Sequence, residues 1–73
     1  MTIKKYEYIG YIITEYEHTI TVTTPDGLPL NGEIGQLEQA KDMIRFHLIE
    51  TVGTANAETL VDKAELKIIG GAQ

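Results

Sequence analysis

The side chains able to do chemistry in this chain are few: two histidines, His18 and His47, eleven carboxylates, and four tyrosines crowded between Tyr6 and Tyr16. A metal site needs imidazoles and carboxylates that converge, and paired histidines serve best at a spacing that sets both on one helical face. His18 and His47 stand 29 positions apart (47 − 18). The simpler reading is one histidine opening a strand and one bordering a helix, its polar edge in water. Acid–base work asks for two carboxylates in unlike environments across a pocket. Glu15 and Glu17 share a parity and could stand side by side at a strand end, but solvated charge accounts for them better. Serine and cysteine are absent, which removes the common hydrolytic nucleophiles. Around Gly27, Gly32 and Gly35 there is no Gly-Lys-Thr or Gly-Lys-Ser element to make a phosphate loop. The residues carry no catalytic, metal or cofactor signature, and the expectation is a protein that is not an enzyme.

Charge is more informative than catalysis. From Tyr6 to Ala40 the chain has six carboxylates, Glu7, Glu15, Glu17, Asp26, Glu33 and Glu38, and no lysine or arginine. Spread over a folded surface, fields of one sign add, and such a surface suits a basic partner. The same balance, a net charge of −5, disfavours direct binding to nucleic acid, which takes clustered Lys and Arg to displace counterions. Tyr6, Tyr8, Tyr11 and Tyr16 alternate with Glu7, Glu15 and Glu17. Tyrosine suits interfaces because it joins a large apolar ring to a polar tip. Some of the four must fill the core, with Tyr8 inside and Tyr11 or Tyr16 outside. The expected partner-binding residues are Glu7, Tyr11, Glu15, Tyr16, Glu17 and Glu33.

These groups must be held by a small scaffold. Seventy-three residues, 42% of them apolar, make one domain near the lower limit for a core that folds unaided. Lacking disulfides, it must draw stability from packing or self-association, and a homodimer is favoured over a monomer. Absence of cysteine fits a reducing compartment, so cytoplasm is the default. The opening residues lack the apolar run of a signal peptide, and no stretch is long enough to span a bilayer.

Ile3 to Glu17 reads as one strand, rich in tyrosine, isoleucine and threonine, with Gly10 permitting a bulge. A reversal is expected at Glu15-Tyr16-Glu17-His18. From there Ile20 and Val22 alternate with Thr19, Thr21 and Thr23, the pattern of a half-buried strand with a threonine outer face. Thr24-Pro25-Asp26-Gly27 is a turn sequence. Asn31-Gly32 favours a tight reversal, and Pro29 confines its segment to an edge. Leu37 to Ile49 has helical spacing, with Leu37, Ala40, Ile44 and Leu48 on one stripe. Glu38 with Lys41 and Asp42 with Arg45 lie at i, i+3, and Gly53 is placed to end the helix. Thr54 or Asn56 can cap a second helix running to about Lys67; the rival reading is a terminal strand from Glu65 to Ile69. Gly70 to Gln73 should fray.

The predicted fold class is α+β: a small antiparallel sheet of two or three strands packed against one main helix, followed by a second helix or strand. Tyr8-Ile9-Gly10-Tyr11-Ile12-Ile13, Ile20-Thr21-Val22, Pro25-Asp26-Gly27 and Leu37-Glu38-Gln39-Ala40-Lys41-Asp42-Met43-Ile44 resemble small uncharacterised phage and prophage proteins, in which a curled hairpin precedes a Leu-Glu-x-Ala-Lys helix. The resemblance spans about Tyr6 to Leu48 and implies no particular activity. It implies a mobile-element origin, where tiny acidic proteins block host nucleases and other nucleic-acid-binding machines. Two functions follow: an inhibitor docking on the basic surface of a host protein, or an assembly subunit pairing with itself through a β edge.

Overall fold

A computed structural model describes residues 3–30, 32 and 34–72. The chain is α+β, with strands β1 (Ile3–Tyr8), β2 (Tyr11–Glu15), β3 (Ile20–Thr23) and β4 (Pro29–Leu30), helices α1 (Leu37–Val52) and α2 (Thr54–Lys63), and strand β5 (Lys67–Ala72). The strands form one antiparallel sheet in the order β4-β3-β2-β1-β5. Five strands replace the two or three expected, and two differences account for the surplus.

First, Ile3 to Glu17 is a hairpin. Ile9 and Gly10 both have positive φ, 54° and 81°, the condition a two-residue type I′ reversal imposes, and the right-handed twist of the flanking strands favours it. The turn pairs Tyr8 with Tyr11, Tyr6 with Ile13 and Glu7 with Ile12. A β-branched residue is costly in the left-handed region, which is why Ile-Gly did not read as a turn. Added at Gly10, a Cβ would sit 3.4 Å from Pro25 Cγ, so this turn lies against the one between β3 and β4.

Second, helix and strand both follow α1. The second helix stops at Lys63, and Lys67–Ala72 returns to pair with β1. Gly70, Gly71 and Ala72 therefore belong to a strand instead of fraying, while Gln73 lies outside the described residues. Register shifts at Lys5/Tyr6, a bulge that absorbs one extra residue of β5.

Among the turns and caps, three expectations hold and one does not. The chain reverses just past Glu15, where Tyr16 N–H donates to Thr19 O at 2.7 Å. In the Thr24–Gly27 turn Gly27 N–H donates to Thr24 O at 2.9 Å, and the Thr24 hydroxyl accepts from Leu28 N–H at 3.1 Å. Asn31, half of the second expected reversal, lies outside the described residues. Gly53 ends α1, its N–H bonding to Ile49 O at 3.1 Å. It is also the residue before α2, so neither Thr54 nor Asn56 is the cap; Asn56 Nδ2 instead donates to Val52 O at 2.9 Å.

Cross-strand pairing lines up Tyr6, Ile13, Val22 and Leu30 on one face of the sheet. Onto that face α1 lays Ala40, Ile44 and Leu48, packing over β2 and β3. Ile13, Val22 and Ile44 are the largest fully buried side chains, each stabilising by roughly 1.5–3 kcal/mol. Helix α2 rests on α1 through Ala57, its one buried residue. The expected Asp42–Arg45 pair gives way to a link between helices, with Arg45 Nη2 donating to Glu58 Oε1 at 2.8 Å.

Candidate functional site

The hairpin turn scatters the residues that sequence grouped as one acidic β face. In an uninterrupted strand Glu7 and Glu15 would share a face. With a two-residue turn between them, Glu7 lies opposite Ile12 and Lys67, and Glu15 opposite Lys4, so the two carboxylates stand on opposite faces. Glu15 accepts the Tyr6 hydroxyl at 3.0 Å. Tyr6 is buried, and burial first, then that bond and the charge of Glu15, raise its pKa above the ordinary 10.0.

Tyr11 is only 3% exposed and cannot be a surface anchor. Its hydroxyl meets His47 Nδ1 at 2.5 Å, with the two rings edge-on at 5.5 Å. Burial and then the charge of Asp26 hold its hydroxyl above the usual range. The same turn that separates Glu7 from Glu15 puts Tyr6, Tyr8 and Tyr11 on the helix-covered face. Tyr16, 40% exposed, and Glu17 remain at the surface in the β2–β3 turn, with His18 Nε2 3.9 Å from Glu17 Oε1. Glu33 lies outside the described residues.

What the fold does bring together is a groove. An open hollow of about 580 Å³ is lined by His18, Thr19, Gly32, Ile34, Gly35 and Gln39. A second, of about 330 Å³, shares Ile34 and Gln39 and continues along α1 past Asp42, Met43 and Phe46. The groove thus runs from the β2–β3 turn to the second turn of α1 and beyond. Its floor is set by close packing: a Cβ at Gly32 would come within 2.6 Å of Met43 Cε, so the segment leading into α1 presses on that side chain. Gln39 reaches back to accept the N–H groups of Gly35 at 2.8 Å and Gln36 at 3.2 Å, fixing the helix start as one half of a capping box does.

Phe46 stands 62% exposed at the far end. Among the described residues the one Lys or Arg ion pair within 4.0 Å is Arg45–Glu58, so there Asp42, which lines the groove, and Glu38, four residues before it on α1, have no such pair. Their charge is felt by Tyr8, whose pKa is raised by burial first, then by Asp42 and Glu38. Lys41 Nζ sits 5.8 Å from the centre of the Tyr8 ring. Sequence reasoning missed the groove, although it held one signal: Phe46, the only phenylalanine, falls off the Leu37, Ala40, Ile44, Leu48 stripe.

Among the described residues no three His, Cys, Asp or Glu side chains are grouped to hold a metal ion, and no helix is long and apolar enough to cross a membrane. Comparison with protein families, with curated proteins and with solved structures finds no match.

Proposed function

We propose that this chain is a small, non-enzymatic, acidic protein-binding module whose groove receives a basic segment on the surface of another protein. The observation that carries the reading is the meeting of an apolar floor, Ile34, Met43 and the exposed ring of Phe46, with the carboxylate of Asp42, which has no ion pair among the described residues, in a chain of net charge −5. An arginine or lysine fits both parts. Its aliphatic stem covers apolar surface, while its charged head meets a carboxylate and an aromatic face. The carboxylates of Glu38, four residues before Asp42 on α1, and of Glu17, next to His18, add attraction over a longer range, and the exposed ring of Tyr16 offers further apolar surface at that end. A partner surface rich in Lys and Arg is also the kind that holds nucleic acid, so occupying it would inhibit, in keeping with the phage-protein resemblance.

The test uses a synthetic extended peptide in which arginine alternates with leucine, with a citrulline version as control, followed by NMR of the 15N-labelled protein. Binding at low salt should perturb Ile34, Asp42, Met43 and Phe46, and should weaken in Asp42→Asn and in Phe46→Ala. In 0.5 M salt, where the Debye length is roughly 4 Å, it should nearly vanish. Equal affinity for parent and both variants would refute the groove. Equal affinity for the arginine and citrulline peptides would refute the role of charge.

A further inference from the structure

The two edges of the sheet are unlike. At one end β4 is two residues long and contains Pro29, which has no N–H to offer and blunts the edge. At the other, β5 runs six residues, Lys67 to Ala72, pairing among described strands with β1 alone. Among the described residues no strand pairs with its outer backbone. Natural edges are guarded by proline, by several charges, by bulges or by a covering helix; β5 has no proline and one lysine at its start, its single bulge, at Ile69, interrupts the ladder to β1, and neither α1 nor α2 packs extensively on it. Instead it carries two adjacent exposed isoleucines, Ile68 at 72% and Ile69 at 51%.

We infer that two copies of this chain join through β5, antiparallel about a two-fold axis, so that two five-stranded sheets become one of ten strands. An open strand edge is satisfied by another strand, and an antiparallel pair of identical strands is self-complementary: each copy gives and receives the same hydrogen bonds. Centred on the strand, the pairing sets Ile69 of each copy opposite Gly70 of the other and Ile68 opposite Gly71, so each isoleucine covers partner backbone that has no side chain of its own. Gly70, without a side chain, leaves the middle of the strand unobstructed. Charge permits the approach. Strands β1 and β5 together hold Lys4, Lys5 and Lys67 against Glu7, whereas the whole chain carries −5, so the copies meet at their least acidic part. In the antiparallel arrangement the two Lys67 side chains lie toward opposite ends of the shared pair. Because β4 is blunt, growth stops at two copies; the assembly closes as a dimer and does not extend as a filament.

The inference is independent of the groove, which lies over α1 and the β2–β3 turn. Sedimentation equilibrium over a hundredfold concentration range should show a monomer–dimer equilibrium. Ile69→Lys and Ile68→Lys, which place a charge on the edge, should weaken association roughly tenfold or more while the circular dichroism spectrum is kept. Hydrogen exchange of the unmodified chain supplies a second reading that needs no variant: protection of β5 amides should rise with protein concentration, while that of β2 and β3 stays constant. A strict monomer at every concentration, concentration-independent exchange in β5, an undiminished dimer in both lysine variants, or assembly beyond two copies would each overturn it.

Discussion

Replacing Ile9 tests the hairpin, and through it the placement of every residue on the sheet. Ile9 sits at φ 54°, where a residue with a Cβ costs roughly 1–2 kcal/mol relative to its ordinary conformation. Two substitutions separate that strain from side-chain packing. Ile9→Ala removes the contacts that Ile9, half-buried, makes with the core but keeps the Cβ and its strain. Ile9→Gly removes the same contacts and the strain as well, at an entropic cost of about 0.4–1 kcal/mol in the unfolded chain. The glycine variant should therefore be the more stable of the two by roughly 0.5–1 kcal/mol, the difference of those terms. For a domain of this size that is about 2–8 °C in melting temperature, readily measured by circular dichroism and checked by urea midpoint at constant slope. In an uninterrupted strand the order reverses, because glycine inside a strand is the weaker residue. An alanine variant as stable as the glycine one, or more so, would show that the chain does not turn at Ile9, and the opposed positions of Glu7 and Glu15 would fall with it.

Three further outcomes are expected. Ile44→Ala, at a fully buried position beneath α1, should cost about 2–5 kcal/mol by urea denaturation; a loss under 1 kcal/mol would mean that α1 does not cover the sheet. Tyr6, Tyr8 and Tyr11 all have hydroxyls raised above 10.0 in the folded chain, so the folded state binds these protons more tightly than the unfolded one. Their contribution is fully present below pH 10.0 and is lost as pH rises through the folded values, so unfolding free energy should be flat from neutrality and fall in the alkaline range; stability that rose above pH 10.0 would contradict the buried placement. Tyr11→Phe should cost about 1 kcal/mol, the net worth of one hydrogen bond, and shift the His47 ring resonances in NMR, whereas unchanged His47 signals would deny the contact.

The elements that sequence reveals are those whose local chemistry and burial agree. Ile20 and Val22 alternate with threonines because one face of β3 is covered, and Leu37, Ala40, Ile44 and Leu48 recur because α1 buries one stripe; both are visible as period. The Ile9-Gly10 turn was not legible, since tertiary packing, Ile9 against the core and Gly10 beside Pro25, holds a β-branched residue where local preference would not put it. Two positive φ values in place of one long strand then reversed the reading of Tyr11 from anchor to core and split Glu7 from Glu15. Strand β5 was hidden for a related reason: Gly70 and Gly71 are poor strand formers, and what holds them extended is β1, some sixty residues earlier in the chain (67 − 8 = 59). Of the proposed contact, the negative charge was legible and its groove was not, because Gly32, Ile34 and Phe46 meet only once the segment before α1 folds back on Met43.

The sheet order also dictates a sequence of events in time. Strands β1 to β4 pair with their chain neighbours through short connections, the first of only two residues, Ile9 and Gly10. Joining β5 to β1 closes a loop of 58 residues (66 − 8). Each doubling of loop length adds about 0.6 kcal/mol to closure, so the last pairing carries an entropic cost on the order of 3 kcal/mol beyond that of the first hairpin. The meander and α1 are therefore expected to assemble early and β5 to dock late, which φ-values near zero in β5 would check. Contacts formed after the transition state act on the unfolding rate, not the folding rate. Strengthening the β1–β5 ladder would lengthen the lifetime of the native chain while leaving the speed of its formation nearly unchanged.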